Sequence, residues 1–276
     1  MTMLFRWKGN HPPVGTIDGS VLRPDRWAAL KALELKQQRI TIGRHNYALS
    51  DVFEIEGDPS STWTLPGAAN YLHLATGLSS GLLRIDGDAG DYAGQQMQGG
   101  RLEIRGSASH SLGAGMQGGL ITVTGDAGPQ VGGPCHDSHI GMTDGEIMIQ
   151  GTAGPRAGFR KRRGLIVAGR CEEQAGYQML AGTLVVFEGP LIKPGLSMKR
   201  GTILCLDPKA EPTWLPYFQS DCVYRPVFVQ IMLGRLQALG GILPEGARHG
   251  KYQLYSGDRL SIGKAEILQW QPDDRQ

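Results

Sequence analysis

The residues from Gly81 to about Leu206 restate one short phrase seven times, and no other feature narrows the possible folds as far. Each unit opens on a glycine: Gly81, Gly100, Gly119, Gly145, Gly164, Gly182 and Gly201. The steps between openers are 19, 19, 26, 19, 18 and 19 residues. Apolar residues stand second and fourth after each opener, from Leu83/Ile85, Leu102/Ile104 and Ile121/Val123 through to Ile203/Cys205. Five openers are preceded, three places back, by a methionine: Met97, Met116, Met142, Met179 and Met198. Internal periods of this length mark solenoids. Alternation over five or six residues is the pattern of a strand with one buried face. Nineteen residues cannot hold two strands and a crossover helix. The expected fold is therefore an all-β core, a right-handed parallel β-helix of about seven coils, with like residues stacked about 4.8 Å apart.

In such a stack the second and fourth positions form inward ladders, and the methionines form another, filling the interior as adaptable side chains. Glycines mark the corners, as in Gly87-x-x-Gly90-x-x-x-Gly94, restated from Gly125 and from Gly151. Cys205 falls on an inward ladder and reads as a small core hydrophobe. The outward position between the inward pair runs Arg84, Glu103, Thr122, Met148, Val167, Val185, Leu204. It begins charged and ends apolar, which a solvated face does not do. Something is expected to cover the later coils: the C-terminal segment, a partner subunit, or both.

The flanks divide the 276 residues into a cap region at 1–80, the repeat at 81–206 and a packing or interaction segment at 207–276. In the cap, Pro24 to Gln38 reads as a helix, and Ile40 to Ile42 and Asp51 to Ile55 read as strands. Asp58-Pro59-Ser60-Ser61 reads as a loop, and Trp63 to Leu78 leads into the first coil. In the tail, Asp207-Pro208 and Glu211-Pro212 break the repeat. Pro226 to Leu239 reads as a helix with Phe228, Ile231, Met232, Leu236 and Leu239 on one side. Short strands follow at Tyr252–Tyr255 and Ala265–Leu268. The net charge of +2 is not a nucleic-acid signature. No apolar run reaches membrane-span length, and the N-terminus lacks a secretory h-region. The four cysteines have no CxxC spacing, so a cytoplasmic protein with reduced thiols is expected.

Chemistry is sought where the repeat departs from itself. The long third step holds an insertion, Gly132-Gly133-Pro134-Cys135-His136-Asp137-Ser138-His139. Its Cys, His and Asp residues have metal-ligand character, but no second ligand pair is evident. A bulged loop contacting a partner or ligand is the preferred reading, and no metal site is assigned. The fourth unit replaces the ladder methionine with Lys161, inside Arg160-Lys161-Arg162-Arg163, and Lys199 and Arg200 recur two coils on. These six residues form a candidate anion patch for carboxylates or phosphates; the alternative is a solvated corner or ion pairs to a neighbouring subunit. The outward carboxylates of the first coils make no acid/base pair of the kind a polysaccharide lyase needs. Nucleophile-elbow, P-loop and zincin motifs are absent, so no catalytic residue is assigned.

The run Gly87-Asp88-Ala89-Gly90-Asp91-Tyr92-Ala93-Gly94-Gln95-Gln96-Met97-Gln98-Gly99-Gly100, restated at Gly106–Gly119 and Gly125–Gly145, resembles the GXGXG domain. That domain closes the large subunit of glutamate synthase and makes up most of the C (gamma) subunit of formylmethanofuran dehydrogenase. A chain of this length, with the tail phrases Tyr255-Ser256-Gly257-Asp258 and Gly263-Lys264-Ala265-Glu266-Ile267, is most similar to the gamma-subunit family. The Arg-rich composition and the irregular third and fourth coils favour its bacterial branch, the formyltransferase/hydrolase complex. That resemblance implies a non-catalytic scaffold. The implied partners are an amidohydrolase-like A subunit, a B subunit and a formyltransferase D subunit. The assembly would move a formyl group from formyl-tetrahydromethanopterin to a methanofuran analogue and release formate. No covalently bound cofactor is expected, and contact of the basic patch with a glutamate-rich methanofuran tail is a further expectation. The alternatives are the gamma subunit of a molybdenum or tungsten formylmethanofuran dehydrogenase, and a glutamate-synthase-like module.

Overall fold

The computed structural model describes residues 2–9, 11–27, 30–57, 60–211, 217–257, 259 and 262–272. In chain order it contains β1 (Met3–Trp7), β2 (Ile17–Asp18), α1 (Pro24–Trp27), α2 (Ala32–Lys36), β3 (Arg39–Ile42), β4 (His45–Ala48), α3 (Leu49–Val52), β5 (Phe53–Glu56), β6 (Thr62–Ala68) and β7 (Tyr71–Leu72). The repeat supplies β8 (Leu82–Ala89), β9 (Gln98–Ile104), β10 (Gln117–Val123), β11 (Asp144–Ala153), β12 (Leu165–Cys171), β13 (Thr183–Val186) and β14 (Arg200–Cys205). The tail adds β15 (Gln219–Tyr224), α4 (Val227–Ala238), β16 (Lys251–Gly257) and β17 (Lys264–Gln271). The architecture is predominantly β. A large sheet of 13 strands runs in the order β15-β16-β17-β14-β13-β12-β11-β10-β9-β8-β6-β1-β5, and β4-β3-β2-β7 form a second, small sheet. All neighbours in the large sheet from β1 to β17 are parallel, and antiparallel pairs occur only at its two ends.

The inward ladders are in register rung by rung. Trp63, Leu83, Leu102, Ile121, Ile147, Ile166, Leu184, Ile203 and Ile267 pair in sequence across nine strands, and all are fully buried. The sheet thus extends past the seven repeats, by β6 and β1 before them and by β17 after them. The second ladder, from Leu65 to Cys205, ends on Gln269. This buried amide donates to the carbonyl of Ala210 at 2.7 Å, so the last rung ties down the loop that follows β14. All five ladder methionines are fully buried.

Between strands, backbone hydrogen bonds also run from unit to unit. Tyr92, Ser111, Gln130, Arg156 and Gln174 donate their N–H to the following unit, while Gly94, Gly113, Gly132, Gly158, Gly176 and Gly195 donate theirs to the preceding one. Both sets have left-handed backbone. The second set is always glycine, and at every member except Gly158 a Cβ would also clash with a neighbouring side chain. At Gly113 (φ 64°) a Cβ would stand 2.5 Å from Cδ1 of the ladder residue Ile147.

The outward face changes along the stack as its sequence does. On the early strands Arg84 and Arg101 both hold Glu103 at 2.8 Å, and Arg105 holds Asp86 at 2.9 Å. On the late strands Val167, Val185, Leu204 and Leu268 form a second core with Val229, Leu233 and Leu236 of α4. The chain's own tail covers the apolar ladder, each such side chain contributing about 1.5–3 kcal/mol.

The buried stripe of α4 differs from the expected one. Of the residues expected inward, Leu236 is buried and Met232 packs half-buried against this core, whereas Phe228 and Ile231 face away, 40% and 70% exposed. The helix is apolar around most of its circumference, so periodicity selects no single side. The helix expected over 24–38 is two short pieces, α1 and α2, with Ala28 and Ala29 outside the described residues. The strand expected from Asp51 begins at Phe53, because Leu49–Val52 form a helical turn in which Asp51 accepts the Ala48 N–H at 3.1 Å. The loop residues Asp58 and Pro59, the breaker Pro212 and the motif residue Asp258 also lie outside the described residues.

Candidate functional site

The six residues of the basic patch divide three ways. Lys161 is fully buried in the methionine ladder and is not on the surface. Its Nζ donates to the carbonyl of Gly164 at 3.2 Å and to that of Thr183. Burial among apolar groups lowers its pKa to about 7. Arg160 turns toward the insertion: its Nε donates to Gln178 at 2.8 Å, and its guanidinium lies over the Phe159 ring at 5.3 Å. Arg162, Arg163, Lys199 and Arg200 are exposed. Three of these, Arg162, Arg163 and Arg200, come together along one groove.

This groove has a volume of about 1100 Å³ and runs between the opener glycines and α4. Glycines line its floor, from Gly118 and Gly119 through Gly145 and Gly164 to Gly182, with Leu120, Leu165 and Leu180 beside them. One wall is the outer face of α4, with Phe228, Ile231, Met232 and Leu239. Arg162, Arg163 and Arg200 line it too, and among the described residues they form no ion pair. A fourth arginine, Arg235 on α4, is already held by Glu146 of β11 at 2.5 Å, a contact that straps the helix to the sheet. Asp144 also lines the groove and accepts the Gly145 N–H at 2.8 Å. Four arginines face two carboxylates, which leaves a formal excess of two positive charges. The arginines are evident in the sequence, whereas the α4 residues of this wall were expected on the buried side. The missed signal is a second stripe, Val229-Leu233-Leu236, at helical spacing.

The insertion forms a smaller pocket of about 230 Å³ with Tyr92, His110, Ser111 and Arg160. It does not simply project: Cys135 is tucked inward, its Sγ donating to the Ala114 carbonyl at 3.2 Å. A Cβ on Gly115 would stand 2.4 Å from that sulfur, which accounts for glycine where Gln96, Arg160 and Gln178 occupy the matching positions. Burial pushes the Cys135 thiol above its usual pKa. His136, Asp137 and His139 are exposed. Among the described residues, no group of three or more His, Cys, Asp or Glu gathers where it could hold a metal ion.

The early acidic residues have structural partners. Asp88 accepts the Ser107 N–H at 2.8 Å, Asp126 that of Thr152 at 2.7 Å, and Asp91 that of His110 at 3.0 Å. Each is a carboxylate on one unit tied to the backbone of the next. Among the described residues, no helix is long and apolar enough to cross a membrane.

A glycine-punctuated parallel stack with this turn geometry defines a class, and the family model of the GXGXG motif matches residues 64–213. The chain belongs to that family. It is similar, at 33% identity and a TM-score of 0.85, to a chain in the X-ray crystal structure of the formyltransferase/hydrolase complex (FhcABCD) from Methylorubrum extorquens in complex with methylofuran. The match covers 98% of this chain and 99% of that chain. No curated protein sequence matches.

Proposed function

We propose that this chain is a non-catalytic scaffold subunit of a formyltransferase/hydrolase complex. In that complex a formyl group passes from formyl-tetrahydromethanopterin to a methanofuran analogue and is released as formate, with catalysis on the amidohydrolase-like and formyltransferase subunits. The observation that carries this reading is the end-to-end similarity to a chain of such a complex. The structural employment of the outward carboxylates is consistent with it. The parallel ladders and the unit-to-unit hydrogen bonds between them support a wound, right-handed β-helical body, with residues 1–80 as its cap and 207–276 as its packing segment. The exposed cations Arg162, Arg163, Lys199 and Arg200 are placed in this proposal as receivers of carboxylates from the rest of the assembly. These belong either to a glutamate-rich cofactor tail or to a neighbouring subunit.

The test is purification of the tagged chain from its own cells, alone and with whatever assembles on it. Co-purification of subunits with formyl transfer and hydrolysis, and neither activity in the isolated chain, is the expected result. Activity in the isolated chain overturns the scaffold assignment. Molybdenum or tungsten in the assembly moves it to a formylmethanofuran dehydrogenase, and a glutamate synthase partner to the third reading.

A further inference from the structure

The groove beside α4 has two unlike walls, and an anion alone matches only one of them. Phe228 and Ile231 are large, apolar and exposed, on a helix whose opposite face is already buried in the second core. They stand across a glycine floor from Arg162, Arg163 and Arg200, which no described carboxylate neutralises. A polyglutamate chain satisfies the guanidinium forks and leaves the aromatic and aliphatic wall in water. An apolar ligand does the reverse and leaves the excess positive charge unanswered. Apolar anchors combined with arginine at a recessed site are the composition of a protein–protein contact.

We propose that this groove is the docking site for one segment of another subunit of the assembly. That segment is amphipathic, with aliphatic or aromatic side chains against Phe228 and Ile231 and carboxylates paired to Arg162, Arg163 and Arg200. Charge complementarity selects the acidic partner. The excess of positive charge in the groove opposes a second copy of this chain presenting the same arginines. The inference rests on the scaffold reading and names the surface through which the scaffold holds a partner.

The experiment uses the full chain within the purified assembly. Two variants are compared with wild type, Ile231→Asp and the double change Arg162→Glu with Arg163→Glu. All three changed side chains are exposed, so the isolated variants are expected to keep the wild-type thermal midpoint. Each variant is expected to weaken retention of at least one other subunit by about tenfold or more, and groove residues become protected from hydrogen exchange on assembly. Full retention by both variants overturns the proposal. So does loss of bound anionic cofactor in the arginine variant with subunits intact, which gives the groove to the cofactor tail. A stable dimer of the isolated wild-type chain that Ile231→Asp dissociates also overturns it, in favour of self-association. If the wild-type chain retains no subunits of a formyl-transferring complex, the scaffold reading itself fails, and that result is distinct from wild-type assembly with silent variants.

Discussion

Lys161 is the sharpest test of the physical reasoning, because it is a charge placed where five other units carry methionine. The lysine is fully buried and donates to two backbone carbonyls, and its pKa falls from 10.5 to about 7 through loss of hydration. The unfolded chain holds this proton up to about pH 10.5, and the folded chain releases it near 7. Between those values the unfolded state binds more protons, so stability rises with pH. At 1.36 kcal/mol per unit, the cost of the buried charge falls by about 3 kcal/mol between pH 7 and pH 9.5. Lys161→Met removes that cost and restores the ladder without a cavity, but leaves two carbonyls without their donor, a loss of about 1–3 kcal/mol. The variant is therefore expected to be more stable than wild type by about 2 kcal/mol at pH 7. Near pH 9.5 it should be level with wild type or below it. Urea unfolding of both proteins at several pH values measures the gap. A gap that stays constant from pH 7 to pH 9.5 refutes the argument, since Lys161 would then carry the same charge in both states throughout.

Other expectations follow from the same geometry. Gly113→Ala places a Cβ 2.5 Å from Ile147 Cδ1 on a left-handed residue, and urea unfolding should show a loss of about 2–4 kcal/mol. Asp25 is held at a pKa of about 2: burial raises it, but hydrogen bonds from Arg23 and Ser79 outweigh burial. Its contribution, present above the unfolded value near 4, should decline by about 2 kcal/mol as pH falls through 2, and Asp25→Asn should lack that acid limb. Cys222 is exposed while Cys135, Cys171 and Cys205 are buried, the last two with pKa values raised to about 12 and about 11. One thiol should react quickly with a maleimide in the native protein, and Cys222→Ser should abolish that phase.

The repeat made the stack legible without coordinates, because a period of 19 with alternating apolar residues has few ways to bury them. The two inward ladders, the buried methionines and Cys205 all stand where the spacing put them. Even the switch of the outward ladder from charged to apolar announced a cover. The residues of the groove were half legible. Arginines declare themselves by type, but neither the glycine floor nor the α4 wall has a local signature of function.

What only the tertiary structure decided are questions of direction. Sequence adjacency grouped Arg160, Lys161, Arg162 and Arg163, yet their side chains lead to the insertion pocket, the interior and the groove, because consecutive residues at a turn leave the backbone in different directions. Helical periodicity offered two apolar stripes on α4, and contact with Val185 and Leu204 chose Val229, Leu233 and Leu236 for burial. That choice left Phe228 and Ile231 facing the arginines. The chain determined a stack by its periodicity, since burial along a strand is a local alternation. It determined the groove only by folding, since a groove is a relation between residues far apart in the sequence, here Arg162 and Ile231.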